Sequence, residues 1–283
     1  MLRNIANSYR ISQRLASNAA ASGSNNAKDY LLVKESDGVR EITLNHPKTL
    51  NSLSLEMMSA LHEAMLKNVN NINLRCVVLA ANGKVWSAGH NLKELQANPE
   101  IKKDVFQKLT DIILDIRKLP VPVIAKVNGF AAAAGCQLAA SCDIVVCTMS
   151  SKFSTPGAGV GIFCSTPGVA ISRVMPRPKS AYMLMTGLPI SGVDAYVAGL
   201  ATKVVPEDEL DKEIDEITQS IRIKSRAVIS FGKKFYYEQL NMPVEEAYLQ
   251  AGAKMCDNLE MTDCREGITS FIEKRKPTWK HED

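Results

Sequence analysis

Two nearly continuous apolar runs, CVVLA (76–80) and IVVC (144–147), constrain this chain more than any other feature. A strand with one wet face alternates polar and apolar residues; a strand that is apolar on both faces is covered on both, as in a parallel sheet flanked by helices. Strand patterns fall at Tyr30–Val33, Val39–Leu44, Arg75–Ala80, Val121–Val127 and Asp143–Thr148, with a short last strand at Ala201–Val205. Helical patterns lie between them. Ser54 caps one whose stripe is Met57, Leu61, Met65 and Val69, and another covers Lys102–Leu119, ending before Pro120. Strands alternating with helices predict an α/β fold with a parallel sheet.

After Thr166 the chain turns mainly helical. A capped short helix is expected at Ser191–Gly199, then helices at Pro206–Arg222, Ser225–Gln239, Val244–Asp257 and Met261–Arg275. The expected organisation is an α/β core over 29–222 and a helical C-terminal domain over 223–283.

Residues 1–28 stand apart. They hold Arg3, Arg10, Arg14 and Lys28, five serines and no acid, and they have no long apolar core. That composition reads as a mitochondrial transit peptide rather than a secretory signal. The 283-residue chain carries a net charge of +4, and those four cations account for all of it. The body is neutral overall, which lends no support to a nucleic-acid partner. No apolar run approaches the roughly 20 residues of a membrane span. Seven cysteines occur without a C-x-x-C pair, as expected of reduced thiols rather than a zinc or redox site.

The candidate site lies in NGFAAAAGCQLAASCD (128–143). A buried strand runs into a tight turn of very small residues, and a short helix opens near Ala133. Backbone amides at a helix start lack internal partners and point at an anion or a developing oxyanion. A proton-transfer site there would want a carboxylate on the first helical turn; the chain offers Gln137, whose amide is no general base near neutral pH.

Four segments in order, ITLNHPKTLNSLS (42–54), VWSAGHNLKEL (85–95), VIAKVNGFAAAAGCQLAASCDIVV (123–146) and KFSTPGAGVGIFCSTPGVA (152–170), resemble the crotonase superfamily of acyl-CoA enzymes. EGITSFIEKRKPTW (266–279) extends the likeness, so that it spans Tyr30 to Lys280. The resemblance implies a spiral of ββα units followed by a helical trimerisation region, and assembly as a homotrimer or hexamer. It implies an acyl-CoA thioester as ligand, coenzyme A being part of the substrate and no separate cofactor being needed. It further implies that the backbone amides of His90 and Ala134 hold the thioester carbonyl. Lys48, Thr49 and Leu50 would lie against the adenine and pantetheine, with Gly135 beside the thioester. Lys93 and Lys274 would sit near the CoA phosphates, Lys274 within its own subunit or reaching a neighbouring one.

Hydratases of this superfamily use two glutamates, and their positions match Gln137 and Gly157. From Met149 to Gly192 there is no acid at all. Weak or no hydratase activity is the expectation. The alternatives are decarboxylation of a malonyl-type thioester or thioester hydrolysis using His90, with Cys136 and Cys164 as other nucleophiles, or a non-catalytic acyl-CoA sensor. Ser165 and Thr166 are candidates to hydrogen-bond an acyl group.

Overall fold

The computed structural model describes residues 30–282; the expected leader lies outside them. The chain opens with a hairpin of β1 (Leu31–Ser36) and β2 (Val39–Leu44), turned by Asp37 and Gly38 with both φ values positive, the turn that matches strand twist. β2 alternates, burying Arg40, Ile42 and Leu44. The buried guanidinium of Arg40 is satisfied by Glu35 (2.6 Å) and the Ala64 carbonyl (3.1 Å).

Helix α1 (Leu55–Leu66) starts where Ser54 Oγ accepts from the Met57 N–H, and it buries Met57, Met58, Leu61 and Met65. The expected stripe ran one turn too far, since Val69 lies beyond the helix end. β3 (Cys76–Ala81) and β4 (Val85–Ser87) follow, then α2 (Leu92–Leu95) and α3 (Pro99–Lys118). α3 begins earlier than expected because Asn98 caps it and Pro99 occupies its first turn, where a missing N–H costs nothing. Val105, Leu109, Ile112 and Ile116 form its buried stripe.

The next units repeat one plan: β5 (Val123–Val127), β6 (Phe130–Ala132) and α4 (Ala134–Ala140), then β7 (Ile144–Thr148), β8 (Lys152–Ser154), a 3-10 turn at Pro156–Val160 and α5 (Ser165–Val174). α6 (Arg177–Thr186), β9 (Ile190–Ser191), α7 (Gly192–Val197) and β10 (Lys203–Val205) complete the core. The larger sheet has the order β1-β2-β3-β5-β7-β10, parallel from β2 to β10. The smaller has the order β4-β6-β8-β9. Each successive unit therefore places one strand in the large sheet, the next in the small sheet, and then a helix. That is the ββα spiral of the crotonase fold. The small sheet was not foreseen: the turn expected after Val127 contains β6, and strands of three residues or fewer carry no legible period.

Four helices follow: α8 (Leu210–Arg222), α9 (Arg226–Gln239), α10 (Val244–Glu260) and α11 (Thr262–Ile272). α9 is latched to the core. Lys233 Nζ donates to Asp143 Oδ2 (2.6 Å) and the Val121 carbonyl (2.9 Å), and Tyr237 donates to Asp143 Oδ1 (2.6 Å). Asp143 Oδ2 also accepts from the Val123 N–H (2.6 Å), so one carboxylate joins β5, β7 and α9.

Candidate active site

Two backbone amides meet between β4 and α4. The Gly89 carbonyl accepts from the Leu53 N–H (2.8 Å), so the His90 N–H, trans to it in the same planar peptide, points the other way. The Ala133 carbonyl accepts from the Gln137 N–H (3.0 Å), so the Ala134 N–H points back out of the helix start. Neither N–H has an acceptor among the described residues. A Cβ on Gly89 would lie 3.0 Å from the Ala134 nitrogen, which shows how closely the two peptides approach. Two convergent donors with nothing to bind are what a thioester oxyanion requires.

The local sequence enforces this. Gly89 has φ +92, a conformation that favours glycine. Its N–H donates to Ser87 Oγ (3.2 Å), which itself donates to the Asn51 carbonyl (2.8 Å). Gly135 packs on β4 so tightly that a Cβ would fall 2.5 Å from the Ser87 carbonyl oxygen. Ala133 sits at φ 48, ψ −117, a strained conformation for a residue with a side chain and one that costs on the order of 1–3 kcal/mol. It is held there by its N–H to the Ser154 carbonyl (2.9 Å) and by Gln137.

The two positions expected to correspond to the hydratase glutamates, Gln137 and Gly157, look different. Gln137 is buried on α4, and its Oε1 has no partner. Gly157 lies in the 3-10 turn, its N–H donating to Cys164 Sγ (3.3 Å) and its carbonyl accepting from the Ile162 N–H (2.9 Å). No space remains for a side chain there: a Cβ would meet the Ile162 carbonyl oxygen at 2.2 Å and Cys164 Sγ at 2.7 Å. Cys136 and Cys164 are buried, and burial pushes both thiols up, Cys136 to about 12, so neither is poised as a thiolate. Ser165 opens α5, and Thr166 follows it in the first turn.

His90 packs edge-on against Phe106, with ring centroids 5.3 Å apart. Its Nδ1 faces the Leu53 carbonyl (3.4 Å), and Nε2 has no partner. Burial lowers the imidazole pKa to about 4, against a smaller raising contribution from the Leu53 carbonyl. The ring is therefore neutral at pH 7.

The segment expected at the nucleotide is brought alongside. Lys48 and Thr49 lie in a 3-10 turn (Pro47–Thr49), and Leu50 is left-handed at φ 58. The Leu50 carbonyl accepts from the Ala88 N–H (3.0 Å), which sets this turn beside the loop carrying His90. Asn51 braces it, its Nδ2 donating to the Asn82 and Val85 carbonyls (2.9 and 2.8 Å). Lys93 is exposed on α2, three residues from His90. Lys274 is exposed in the turn that follows α11, and within this chain no hydrogen bond among the described residues ties it to the site.

Two residues escaped sequence reasoning. Glu94 caps α1, its oxygens accepting from the Leu55 N–H (3.3 and 3.1 Å), and burial raises its pKa. Thr155 is wholly buried next to Ser154, with an unpartnered Oγ1. Threonine in a loop carries no sequence signal of this kind; only burial reveals it.

The chain belongs to the enoyl-CoA hydratase/isomerase family, whose sequence profile matches residues 34–282. It is 47% identical over 251 residues to the human protein enoyl-CoA hydratase domain-containing protein 3, mitochondrial, a match covering 88% of this chain and 83% of that one. The crystal structure of that human protein superposes with a TM-score of 0.87 at 46% identity, covering 88% of this chain and all (100%) of that one. Carnitinyl-CoA dehydratase of Salmonella typhi is 32% identical over 252 residues, covering 86% of this chain and 95% of that enzyme.

Proposed function

We propose that this is a mitochondrial acyl-CoA-binding protein of fatty-acid metabolism that polarises a thioester carbonyl but hydrates enoyl-CoA weakly or not at all. The observation that carries this is the free N–H pair of His90 and Ala134 beside two positions, Gln137 and Gly157, that offer no carboxylate. Acid–base groups contribute about 10² to 10⁴-fold each, so a site without them retains binding and loses turnover. Lys48, Thr49, Leu50 and Gly135 would line the CoA path, with Lys93 and Lys274 near its phosphates. The mitochondrial assignment follows the names of the relatives and the Arg- and Ser-rich leader.

Assembly as a trimer or pair of trimers fits the C-terminal helices. α10 buries no residue within the chain, and Tyr248, Leu249, Phe271 and Ile272 are at least 73% exposed. Such apolar faces call for a second copy.

Decarboxylation of a malonyl-type thioester would need His90 to receive a carboxylate, and a neutral, buried imidazole is poorly suited to that. Incubating the protein with an acyl-CoA panel, with binding read by calorimetry and products by mass spectrometry, tests the proposal. Efficient hydration of a short enoyl-CoA would refute it. Saturable binding with no product would favour a sensor.

A further inference from the structure

A cleft of about 490 Å³ opens beside the β1–β2 hairpin, lined among others by Asp37, Asn73, Arg75, Gln219, Arg222 and Ile223. It lies at the end of the large sheet away from the amide pair. β2 begins at Val39, beside the cleft, and ends at Leu44, from which the chain passes into the Pro47–Thr49 turn next to the His90 loop. At roughly 3.3 Å per residue, that strand spans about 17 Å. The Gly38 carbonyl accepts from the Arg75 and Cys76 N–H groups (2.7 and 3.3 Å), which pins the hairpin turn to the start of β3. α8 supplies Gln219 and Arg222 from its last turn, and Ile223 follows.

Cations crowd here without carboxylates bound to them. Among the described residues, no carboxylate hydrogen-bonds to Arg75, Arg222 or the neighbouring Arg226. Arg226 donates to the Val69 and Leu74 carbonyls (2.8 and 3.1 Å), and Arg75 Nη1 to the Ile72 carbonyl. Asp263 is taken up by the Ser225 hydroxyl (2.5 Å) and by the Lys280 and His281 N–H groups (2.6 and 2.9 Å). Asp37 Oδ2 stands 3.7 Å from Arg222 Nη2, beyond hydrogen-bond reach, and its side chain is 71% exposed. Burial, and then repulsion from Arg226, lowers the Arg75 pKa. Arg75 Nε and Nη2, the Arg222 guanidinium and the Asn73 and Gln219 side-chain amides have no hydrogen-bond partner among the described residues.

A phosphate monoester complements these groups, since guanidinium forks match phosphate oxygens in pairs. The cleft is too large for a bare phosphate and falls within the roughly 300–1,000 Å³ of small-molecule sites. The rest of its lining suits a nucleoside. The Asp37 carboxylate only accepts, and ribose hydroxyls donate; the Asn73 and Gln219 amides both donate and accept, as a base edge does. Ile223, 62% exposed, offers an apolar surface to the face of a base.

We propose that this cleft is a second ligand site, distinct from the thioester site, that binds a nucleoside monophosphate, with Arg75 and Arg222 taking the phosphate and Asp37 the ribose. Calorimetry on the full chain at low ionic strength, with AMP, inorganic phosphate and adenosine, tests it. AMP should bind at least about tenfold tighter than either, because only AMP engages both the guanidiniums and the amides. Arg222→Gln and Arg75→Gln should each weaken AMP about tenfold or more, the loss of a charged hydrogen bond, whereas Lys93→Gln, on the expected CoA path, should leave it unchanged. Photolabelling with 8-azido-AMP, read by mass spectrometry of the peptides, should mark residues 73–75 or 219–223 and needs no variant. AMP binding no tighter than inorganic phosphate overturns the site. So does an AMP affinity that falls in Lys93→Gln but not in the arginine variants, or a label confined to residues 46–50 and 90–93. The outcome of the acyl-CoA panel bears on none of these readouts, so either proposal can fail alone.

Discussion

Gly157 and Ile162 are pressed together: the Ile162 N–H donates to the Gly157 carbonyl (2.9 Å), and the Ile162 carbonyl oxygen lies 2.2 Å from where a Gly157 Cβ would stand. The obstructing atom belongs to the backbone and cannot swing aside. The turn has closed over the position that the crotonase resemblance assigns to a hydratase's second acid.

Placing glutamates at positions 137 and 157 should therefore fail to create a hydratase. Gly157→Glu, alone or with Gln137→Glu, is expected to lose about 1–3 kcal/mol or more in urea unfolding through overpacking, without gaining enoyl-CoA hydration. A stable double variant that turns over crotonyl-CoA would show that the turn yields more readily than its contacts imply.

Gly89→Ala attacks the amide pair directly. The added methyl would meet the Ala132 carbonyl oxygen, Ala133 Cβ and Ala134 nitrogen, each at 3.0 Å, at a φ of +92. Thioester binding should weaken at least tenfold, about 1.4 kcal/mol, and the bound carbonyl stretch should move toward its frequency in water. An unshifted infrared band with unchanged affinity would argue that the carbonyl binds elsewhere.

His90 makes stability depend on pH. Its pKa is about 4 in the fold, below the ordinary 6.5, so the unfolded chain binds the proton more tightly. The stabilisation is complete above about pH 6.5 and is lost as pH falls toward 4, by up to about 3 kcal/mol. In His90→Phe that part of the acid destabilisation should vanish. Parallel stability curves for the two proteins between pH 7 and 4 would contradict it.

The α9 latch should be costly to break from one side. Lys233→Met strands the Asp143 carboxylate in a buried setting, for which about 3–5 kcal/mol is the usual loss. Tyr237→Phe removes one charge-assisted bond and should cost about 1.5–3 kcal/mol. Equal, small effects from both, measured by chemical unfolding, would mean the pair is solvated rather than buried.

Much of the architecture was legible in the chain. β3 and β7 announced themselves as apolar runs because both of their faces are covered, and α3 did so through a regular stripe from Val105 to Ile116. β4, β6 and β8 did not, because three residues give a period nothing to repeat. The sequence showed that Gln137 and Gly157 carry no acid. It could not show that the Gly157 turn is sealed, since that depends on Ile162 and Cys164 folding back over it.

The residue order by itself determined the alternation of strands and helices, the small residues at the amide pair and the absence of a carboxylate at Gln137 and Gly157, because each is a property of side-chain type and spacing. Only the tertiary structure decided which amides were left without acceptors, that burial lowers the His90 pKa, and that His90, Gln137 and Thr155 each keep a buried polar atom without a partner among the described residues. Those depend on burial and on the direction of a peptide plane. Both are set by contacts between segments far apart in the chain, and no local pattern encodes them.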